Sequence, residues 1–252
     1  MFINDLDQAP LEQFDSLDST MTKAAEAYAV NREEGLTVIA QHQSAGRGRR
    51  GRQWISDSGG GLWATMVLRP SRPASDWPSL GIVFAVSLAQ TLESLTQKQI
   101  QLKWPNDLWF AEKKLAGILM ERIDDGSALA LGFGVNFSSP QNDDSQALRQ
   151  PPIGLDALVA ELPSPEILLR QIRRNFSAPY NGWTLGSWET TKAEFGARDV
   201  LKGCLIQWEQ DQETRRGTAE GIDTDGQLRV KLANGEMTQL LAAEVEKIST
   251  QS

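Results

Sequence analysis

Apolar residues recur at two spacings along the chain, and each spacing predicts a different element. Helical spacing predicts helices over residues 20–34, 76–97, 164–176 and 183–195. Runs rich in β-branched and aromatic residues predict strands over residues 36–41, 62–68, 100–104, 114–123 and 128–137. Residues 44–52 and 138–154 hold too many glycine, arginine, proline and polar residues for a regular element.

The pattern changes after residue 197. Short strands are predicted over residues 200–208, 217–222, 228–232 and 237–241, about ten residues apart. Asn234-Gly235, between the last two, is a strong hairpin signal because both residues tolerate positive φ. The chain is therefore predicted to divide into a larger domain, residues 1–196, and a small SH3-like β-barrel domain, residues 197–252.

Composition restricts the possible chemistry. The 252 residues carry a formal net charge of −8, one His and one Cys. Cys204 alone excludes an internal disulfide and a multi-cysteine metal site, and His42 alone excludes a histidine-rich one, so we expect both to be structural. The acidic balance argues against a protein that coats nucleic acid or anionic membrane. Neither a signal-peptide pattern nor an apolar run of membrane-spanning length is found, which predicts a cytoplasmic protein.

Residues 43–54 break the acidic pattern with four arginines and three glycines. Glycines let backbone amides approach a ligand closely, and arginines offer permanent charge in a fork that matches phosphate oxygens. Trp54 adds a flat apolar face for a ring. The spacing fits neither a Walker loop nor a dinucleotide-binding fingerprint. The segment therefore indicates a phosphate-bearing ligand such as a nucleotide.

A second charged group follows in Lys103-Trp-Pro-Asn-Asp107 and Lys114-Leu-Ala-Gly117. Pro105-Asn106 predicts a turn, so Asp107 and Lys114 would lie on neighbouring strands within reach of a common centre. Adjacent Lys113 and Lys114 point to opposite faces of a strand, so one of them can enter a pocket while the other meets water. We expect Trp104 to belong to the core.

These blocks resemble, in the same order, the signature motifs of biotin protein ligases. The resemblance rests on Gly46-Arg-Gly-Arg-Arg-Gly-Arg-Gln-Trp54, on the two blocks just described, and on Asp18-Ser19-Thr20 before the first helix. It covers about residues 12–137 strongly and the remainder more loosely. It implies an α+β fold: a class II synthetase-like, biotin–lipoate ligase catalytic domain with a mixed sheet and helices, followed by the small SH3-like β domain.

The resemblance implies a reaction in two steps. The carboxylate of biotin attacks the α-phosphate of Mg²⁺-bound ATP, which releases pyrophosphate and forms biotinyl-5′-AMP. A lysine amine of a biotin carboxyl carrier protein, usually that of acetyl-CoA carboxylase, then takes the biotinyl group and releases AMP. ATP, Mg²⁺ and biotin enter as substrates, and no tightly bound prosthetic group is implied.

The family's motifs also assign residues. Lys114, Arg47, Arg49 and Asp107 match its catalytic positions, with Asp107 orienting Lys114, holding the metal or helping the incoming amine. Residues implied to bind substrate are Ser19, Thr20, Gln43, Gly46, Arg47, Gly48, Arg49, Trp54, Lys114, Gly117 and Asn136. Among them Ser19, Thr20 and Gln43 would read the ureido ring, while Trp54 and Asn136 would contact adenine. Lys113 is expected to face solvent.

Two departures from the family pattern change these expectations. Met21 stands where many relatives have Asn, which removes any contact made by that amide. About a dozen residues precede the first motif, fewer than a winged-helix domain needs, so a ligase without sequence-specific DNA binding is predicted. The oligomeric state stays open between monomer and homodimer.

Two other functions compete with biotin ligation. Lipoate ligases and octanoyl transferases share the fold and a lysine, although the arginine loop favours biotin. An RNA-binding module using the arginine loop and the β domain is the alternative from a different class. Adenylation assays and salt-dependent RNA binding would distinguish these alternatives.

Overall fold

The chain forms two β-sheets, with helices packed on both faces of the larger one. The computed structural model describes residues 5–56, 60–139, 151–241 and 243–248. The helices are α1 (Thr20–Asn31), α2 (Trp77–Thr96), α3 (Pro165–Thr184) and α4 (Glu189–Gly196). The strands are β1 (Leu11–Leu17), β2 (Thr37–Gln43), β3 (Gly61–Leu68), β4 (Gln101–Lys103), β5 (Asp107–Phe110), β6 (Lys113–Ile123), β7 (Ala128–Asn136), β8 (Leu205–Gln210), β9 (Glu213–Ile222), β10 (Leu228–Lys231), β11 (Met237–Leu240) and β12 (Val245–Lys247).

The larger sheet has seven strands in the order β1-β2-β3-β7-β6-β5-β4. Only β1 and β2 pair in parallel, while the other neighbours are antiparallel, which confirms the predicted mixed sheet. Leu131, Phe133 and Val135 of β7 point into the main core, so the alternating Gly132 and Gly134 lie on the opposite face.

Helices cover the two faces of this sheet unequally. Helices α2 and α3 pack against each other and belong to the main core. Helix α1 packs its Ala24 and Tyr28 on the other face, against Val38 and Val67. By length and composition α2 is apolar enough to cross a membrane, but 78% of its most apolar window is buried, as expected of a core helix. The glycine-bearing face beside the N-terminus of α1 holds the candidate site.

The smaller sheet is antiparallel, in the order β11-β10-β9-β8-β12. Its core residues are continuous with those of the larger sheet. The Trp104 indole, buried as predicted, donates from Nε1 to the carbonyl of Gly226 at 3.0 Å. A Cβ at Gly226 would stand 3.1 Å from Ser79 Cα, so this turn packs tightly on the start of α2. The C-terminal sheet is thus fastened next to the Lys103–Asp107 block.

The helix boundaries predicted near residues 176 and 183 are wrong. Helix α3 continues through Pro179 to Thr184, and the next helix starts only at Glu189. Proline costs a backbone hydrogen bond inside a helix. Here the continuing turns bury Phe176, Tyr180 and Trp183, whose rings stack in sequence, and this burial offsets that cost. The intervening Gly186 has a φ of +82° and turns the chain.

Three strands lay outside the predicted set, namely β1, β5 and β12. Strand β1 is mostly exposed at the sheet edge, so its sequence lacks a strong apolar alternation. Strands β5 and β12 have four and three residues, too few to show a period. Most of the predicted loop over residues 138–154 lies outside the described residues, as do residues 57–59.

Candidate active site

Ser19, Thr20 and Gln43 form a buried cluster of neutral polar side chains at the N-terminus of α1, which we call the neutral pocket. Ser19 is the N-cap residue, yet its hydroxyl makes no capping hydrogen bond. Instead, Gln43 Oε1 accepts from the backbone N–H of Thr20 at 2.8 Å, so a side chain from β2 satisfies this helix end. The buried Ser19 Oγ has no hydrogen-bond partner among the described residues. A buried hydroxyl without a partner is costly, and Ser19 therefore has unused hydrogen-bonding capacity at this helix end.

A chain of hydrogen bonds runs through this pocket in one direction. Thr65 Oγ1 donates to Thr20 Oγ1 at 2.9 Å, and Thr20 Oγ1 donates to Gln43 Oε1 at 3.1 Å. Gln43 Nε2 donates to Ser56 Oγ at 2.9 Å, and Ser56 Oγ donates to the Trp54 carbonyl at 3.3 Å. Thr20 and Gln43 were predicted, whereas Thr65 and Ser56 were missed because serine and threonine are common in loops and strands.

Glycines form the floor of the site, because side chains from elsewhere lie directly on the sheet. A Cβ at Gly132 would stand 2.5 Å from Met21 Sδ, so the Met21 thioether packs directly on the sheet at this glycine. A Cβ at Gly134 or at Gly117 would stand 2.7 Å from carbons of the Trp54 indole. These distances are shorter than real Cβ contacts, so a Cβ at Gly117 or Gly134 would displace the rigid Trp54 ring, whereas the flexible Met21 thioether can move away from one at Gly132.

The Trp54 indole therefore lies over the glycine floor. It meets Trp63 edge to face, with ring centroids 6.2 Å apart. Lys114 Nζ stands 5.0 Å from the Trp54 ring centroid, within cation–π range. Gly117 was predicted to let a ligand approach the backbone, and the group that approaches it here is Trp54.

Lys114 forms an ion pair with Asp107 across the hairpin of β5 and β6, which turns at Ala111 and Glu112, whereas the predicted turn at Pro105-Asn106 joins β4 to β5. Lys114 Nζ lies 2.7 Å from Asp107 Oδ1, and both side chains are at least three-quarters buried. The register shifts here: Leu108 pairs with Ala116 and Trp109 with Lys114, so Leu115 is an extra, bulged residue. Regular alternation from Gly117 would put Lys113 on the site face, whereas the bulge puts Lys114 there. Lys113 is exposed, as expected.

Asn136 of β7 fixes the backbone of Lys114 through hydrogen bonds. Its amide Nδ2 donates to the carbonyls of Lys114 at 3.1 Å and Ile153 at 3.3 Å. The Ile153 N–H also donates to the Lys114 carbonyl, at 2.9 Å. Asn136 was predicted to contact adenine, and its amide holds the backbone of Lys114 in this structure.

The arginine loop folds as a small hairpin at the rim of the site. The Trp54 N–H donates to the Gly46 carbonyl at 2.8 Å and the Gly48 N–H to the Arg52 carbonyl at 2.8 Å. Its tip turns at Arg50 and Gly51, which have φ values of 56° and 72°. A Cβ at Gly46 would stand 2.3 Å from the Trp54 carbonyl oxygen, so the two stems of the loop touch.

The loop arginines point in different directions. Arg47 pairs with Glu121 of β6, and Arg52 pairs with Glu244, just before β12. Arg49 turns inward, where its Nη1 donates to Asn106 Oδ1 at 3.3 Å. Burial lowers the pKa of Arg49, and the nearby Asp107 carboxylate opposes this shift. Of the predicted cationic residues, Arg49 and Lys114 therefore converge on Asp107, and Arg47 does not.

Comparison with known proteins gives this arrangement a family. Residues 13–138 match the sequence profile of the biotin/lipoate A/B protein ligase family, and residues 206–247 match the biotin protein ligase C-terminal domain. The chain belongs to the biotin protein ligase family. Both matches fall on the elements described above, the first on the larger sheet and the second on the smaller one.

Individual relatives in this family match along most of their length. The chain is 30% identical over 235 residues to the bifunctional ligase/repressor BirA of Bacillus subtilis, covering 92% of this chain and 72% of that one. It is 30% identical over 243 residues to the biotin–[acetyl-CoA-carboxylase] ligase of Paracoccus denitrificans, covering 89% and 97%. A solved biotin protein ligase from Aquifex aeolicus, in complex with biotin and ATP, superposes with a TM-score of 0.83 at 23% identity, covering 95% and 99%.

The turn of the ligase family's Lys-Trp-Pro-Asn-Asp block adjoins the C-terminal sheet. Asn106 Nδ2 donates to the Ile118 carbonyl at 2.7 Å, and the Ile118 N–H donates to the Asn106 carbonyl at 2.9 Å. Lys103 is buried, with Nζ 4.5 Å from the Trp109 ring centroid. A cleft runs between this block, Arg49 and residues 243–246. No sequence signal pointed to residues 243–246, because their place beside the block depends on how the two sheets pack.

A protein-held metal would need several ligands in one place. Among the residues that the structure describes, no group of three His, Cys, Asp or Glu side chains has the arrangement for this. Asp107, the predicted candidate, faces the Lys114 ammonium instead. Within the described ranges, the residues therefore do not form a dedicated cation cage.

Proposed function

We propose that the protein activates biotin with ATP and transfers it to a lysine of a carrier protein. Its family membership supports this reaction. The observation that carries the proposal is the junction of two unlike half-sites: a buried neutral pocket with the unpaired Ser19 hydroxyl, and a cationic half holding Lys114 and Arg49. A molecule with an uncharged polar ring at one end and a carboxylate at the other fits this junction.

The neutral pocket suits a ureido ring. Such a ring has one carbonyl acceptor and two N–H donors and carries no charge. Ser19 Oγ and the second hydrogen of Gln43 Nε2 would donate to its carbonyl, while Thr20 Oγ1 can accept. Residues of this pocket are at most 8% exposed, so each missed hydrogen bond would be costly.

The cationic half suits the first chemical step. A biotin carboxylate oxygen forms a bond to the α-phosphorus of ATP while the bond to pyrophosphate breaks, which yields biotinyl-5′-AMP. Both reactants are anions, so Lys114 and Arg49 would screen their repulsion and hold the charge that develops on the α-phosphate. Mg²⁺ would arrive on the phosphates of ATP as part of the substrate. Arg47 would add a third positive charge beside Lys114 and Arg49 by leaving Glu121 and binding a phosphate oxygen, since the carboxylate and the phosphate are both anionic partners.

The second step transfers the acyl group. The carrier's lysine amine bonds to the carbonyl carbon of the adenylate, the bond to the AMP oxygen breaks, and the amine gives up a proton. Asp107 faces Lys114 at 2.7 Å, which favours the orienting role among the three that remained open. A closed arginine loop would keep water from the adenylate meanwhile.

Lipoate or octanoate ligation fits the neutral pocket poorly. A dithiolane ring or an alkyl chain offers no hydrogen-bonding groups to Ser19, Thr20 and Gln43. A site built to hydrogen-bond its substrate rejects an analogue lacking those groups by roughly 10⁴-fold. The RNA-binding alternative is disfavoured, because Arg47 and Arg52 of the arginine loop are paired with carboxylates.

Exchange of labelled pyrophosphate into ATP tests this function. We expect exchange with biotin, and none above background with lipoate or octanoate. A carrier domain added with biotin and ATP should then gain one biotinyl group. Exchange with lipoate but not with biotin would overturn the proposal.

Partners and context follow from the same proposal. The carrier would be the biotin carboxyl carrier protein of acetyl-CoA carboxylase, because acetyl-CoA carboxylase is the acceptor in the name of the Paracoccus denitrificans relative. We place the reaction in the cytoplasm, without sequence-specific DNA binding, by a monomer or homodimer. We also keep a two-domain division near residue 196, where α4 ends.

A further inference from the structure

Ser56 joins the two half-sites, although no motif includes it. The residue is 3% exposed and lies just beyond the arginine loop. Its hydroxyl accepts from Gln43 Nε2 at 2.9 Å and donates to the Trp54 carbonyl at 3.3 Å. One side chain therefore contacts both the ring-reading amide and the stem of the loop.

The direction of this hydrogen-bond chain is fixed by the backbone. The Thr20 N–H can only donate, so the Gln43 amide must turn its oxygen toward α1 and its nitrogen toward Ser56. One hydrogen of Nε2 is then used by Ser56, and the described residues offer the other no acceptor. A ligand carbonyl that accepts this second hydrogen is therefore bound to the same Gln43 amide nitrogen that donates to Ser56.

The surroundings of Ser56 leave little room for independent movement. Its carbonyl accepts from the Gln43 N–H at 3.4 Å and contacts His42 Nδ1 at 2.8 Å. A Cβ at Gly46 would stand 2.9 Å from Ser56 Oγ and 3.3 Å from Gln43 Nε2. Gly46 in turn accepts from the Trp54 N–H. Because these groups are in close contact, a displacement of the Gln43 amide is passed on to both stems of the loop.

We propose that Ser56 is a positioning residue that couples ring binding at Gln43 to the closing of the arginine loop. This rests on the proposed function, since the ring is that of biotin. With the Ser56 hydroxyl in place, a ring bound to Gln43 stabilises the closed stem formed by Gly46 and Trp54. Without it, ring and loop bind independently, and the coupling free energy between them is lost.

The loop's four arginines provide a direct probe, because trypsin cleaves after arginine. We would measure trypsin cleavage within residues 47–52 of the full chain, without biotin and with saturating biotin, alongside pyrophosphate exchange. In the unmodified protein, saturating biotin should slow cleavage by about tenfold or more. In Ser56→Ala, the KM for biotin should rise by about tenfold, and saturating biotin should slow cleavage by less than about twofold.

Two further variants separate coupling from structural damage. Ser56→Cys keeps the shape but bonds weakly, so its biotin-dependent protection should be intermediate. Ser87→Ala, which removes another buried serine hydroxyl without a partner among the described residues, should behave like the unmodified protein. A purely structural role would raise cleavage equally with and without biotin, leaving their ratio unchanged.

Each outcome is decisive. If biotin slows trypsin cleavage as much in Ser56→Ala as in the unmodified protein, the coupling is overturned. It is also overturned if biotin does not slow cleavage of the loop in the unmodified protein. If Ser56→Ala does not fold, full protection in Ser56→Cys would overturn it instead. The proposed function itself would be rejected if the unmodified protein showed no biotin-dependent exchange of pyrophosphate into ATP. The coupling is judged separately, from the ratio of cleavage rates with and without biotin.

Discussion

The pocket at the start of α1 and the arginine loop adjoin each other, yet they hold their side chains in opposite ways. Ser19, Thr20 and Gln43 are 3%, 4% and 8% exposed, and Thr20 and Gln43 are fixed by a directed chain of neutral hydrogen bonds. Arg47 and Arg52 have side chains 43% and 51% exposed, each held by one carboxylate at the surface.

The difference separates recognition from charge handling. Buried hydrogen bonds are costly to leave unmade, so the pocket is built before its ligand arrives. Exposed ion pairs contribute only about 0–1 kcal/mol, so a loop arginine can exchange a carboxylate for a phosphate at little cost. Lys114 and Arg49 lie at the boundary between the pocket and the loop. Both are more buried than Arg47, Arg50 and Arg52, and both are close to Asp107.

The largest expected effect is at this boundary. Lys114→Ala should lower the rate of adenylate formation by about 10²-fold or more, since no other side chain can place an ammonium over Gly117. Lys113→Ala removes the same charge from the neighbouring exposed position and should change the rate by less than about twofold. Pyrophosphate exchange measures both variants. Equal losses would show that the bulge at Leu115 does not select the lysine.

Within the loop, Arg49→Ala should cost more than Arg50→Ala. Arg49 is partly buried and bonds to Asn106, whereas Arg50 is exposed at the tip. We expect kcat/KM for ATP to fall by about 100-fold for Arg49→Ala and by at most about threefold for Arg50→Ala. Steady-state exchange at varied ATP would show this contrast, and similar losses would mean that the loop acts only through its total charge.

In the neutral pocket, Ser19→Ala should weaken biotin binding without weakening the fold. Removing a buried hydroxyl that has no protein partner leaves no group unsatisfied, so the thermal midpoint should stay level or rise. The KM for biotin should increase by about tenfold while the KM for ATP changes little. Titrating the two substrates and a thermal melt tests both statements. A large fall in the thermal midpoint would contradict the assignment of this hydroxyl to a ligand.

The smallest effect is expected where the loop meets the C-terminal sheet. Glu244→Gln removes the carboxylate paired with Arg52, an exposed contact that salt screens. Activity at low ionic strength should change by less than about threefold, and the difference should vanish in 0.5 M salt, at which the Debye length is only about 4–5 Å. Assays at both ionic strengths check this. A large, salt-independent loss would mean that Glu244 does more than pair with the loop.

Local chemistry was the most predictable part of the fold and the site. The long apolar run became α2, and the proline and glycine breaks marked most loops. Asp107 and Lys114 lie on neighbouring strands as predicted, but the hairpin that joins them turns at Ala111 and Glu112 rather than at Pro105-Asn106. Strands with few apolar residues, such as β1, and the continuation of α3 through Pro179 were missed. Backbone pairing with β2 forms β1, and burial of Tyr180 and Trp183 carries α3 past the proline, so contacts with other segments rather than local propensity decided both.

The sequence by itself determined which chemistry the protein carries: a glycine- and arginine-rich loop for phosphates, a Lys–Asp pair, and hydroxyl and amide groups for a neutral ring. The tertiary structure decided which of the residues carrying these groups lie in the site. It chose Lys114 over Lys113 through one bulged residue, placed the Trp54 ring on the glycine floor, and set Ser56 between Gln43 and the loop. It also paired loop arginines with acids 74 and 192 residues away. Such contacts depend on sheet register and on the packing of two sheets, which no local pattern of residues encodes.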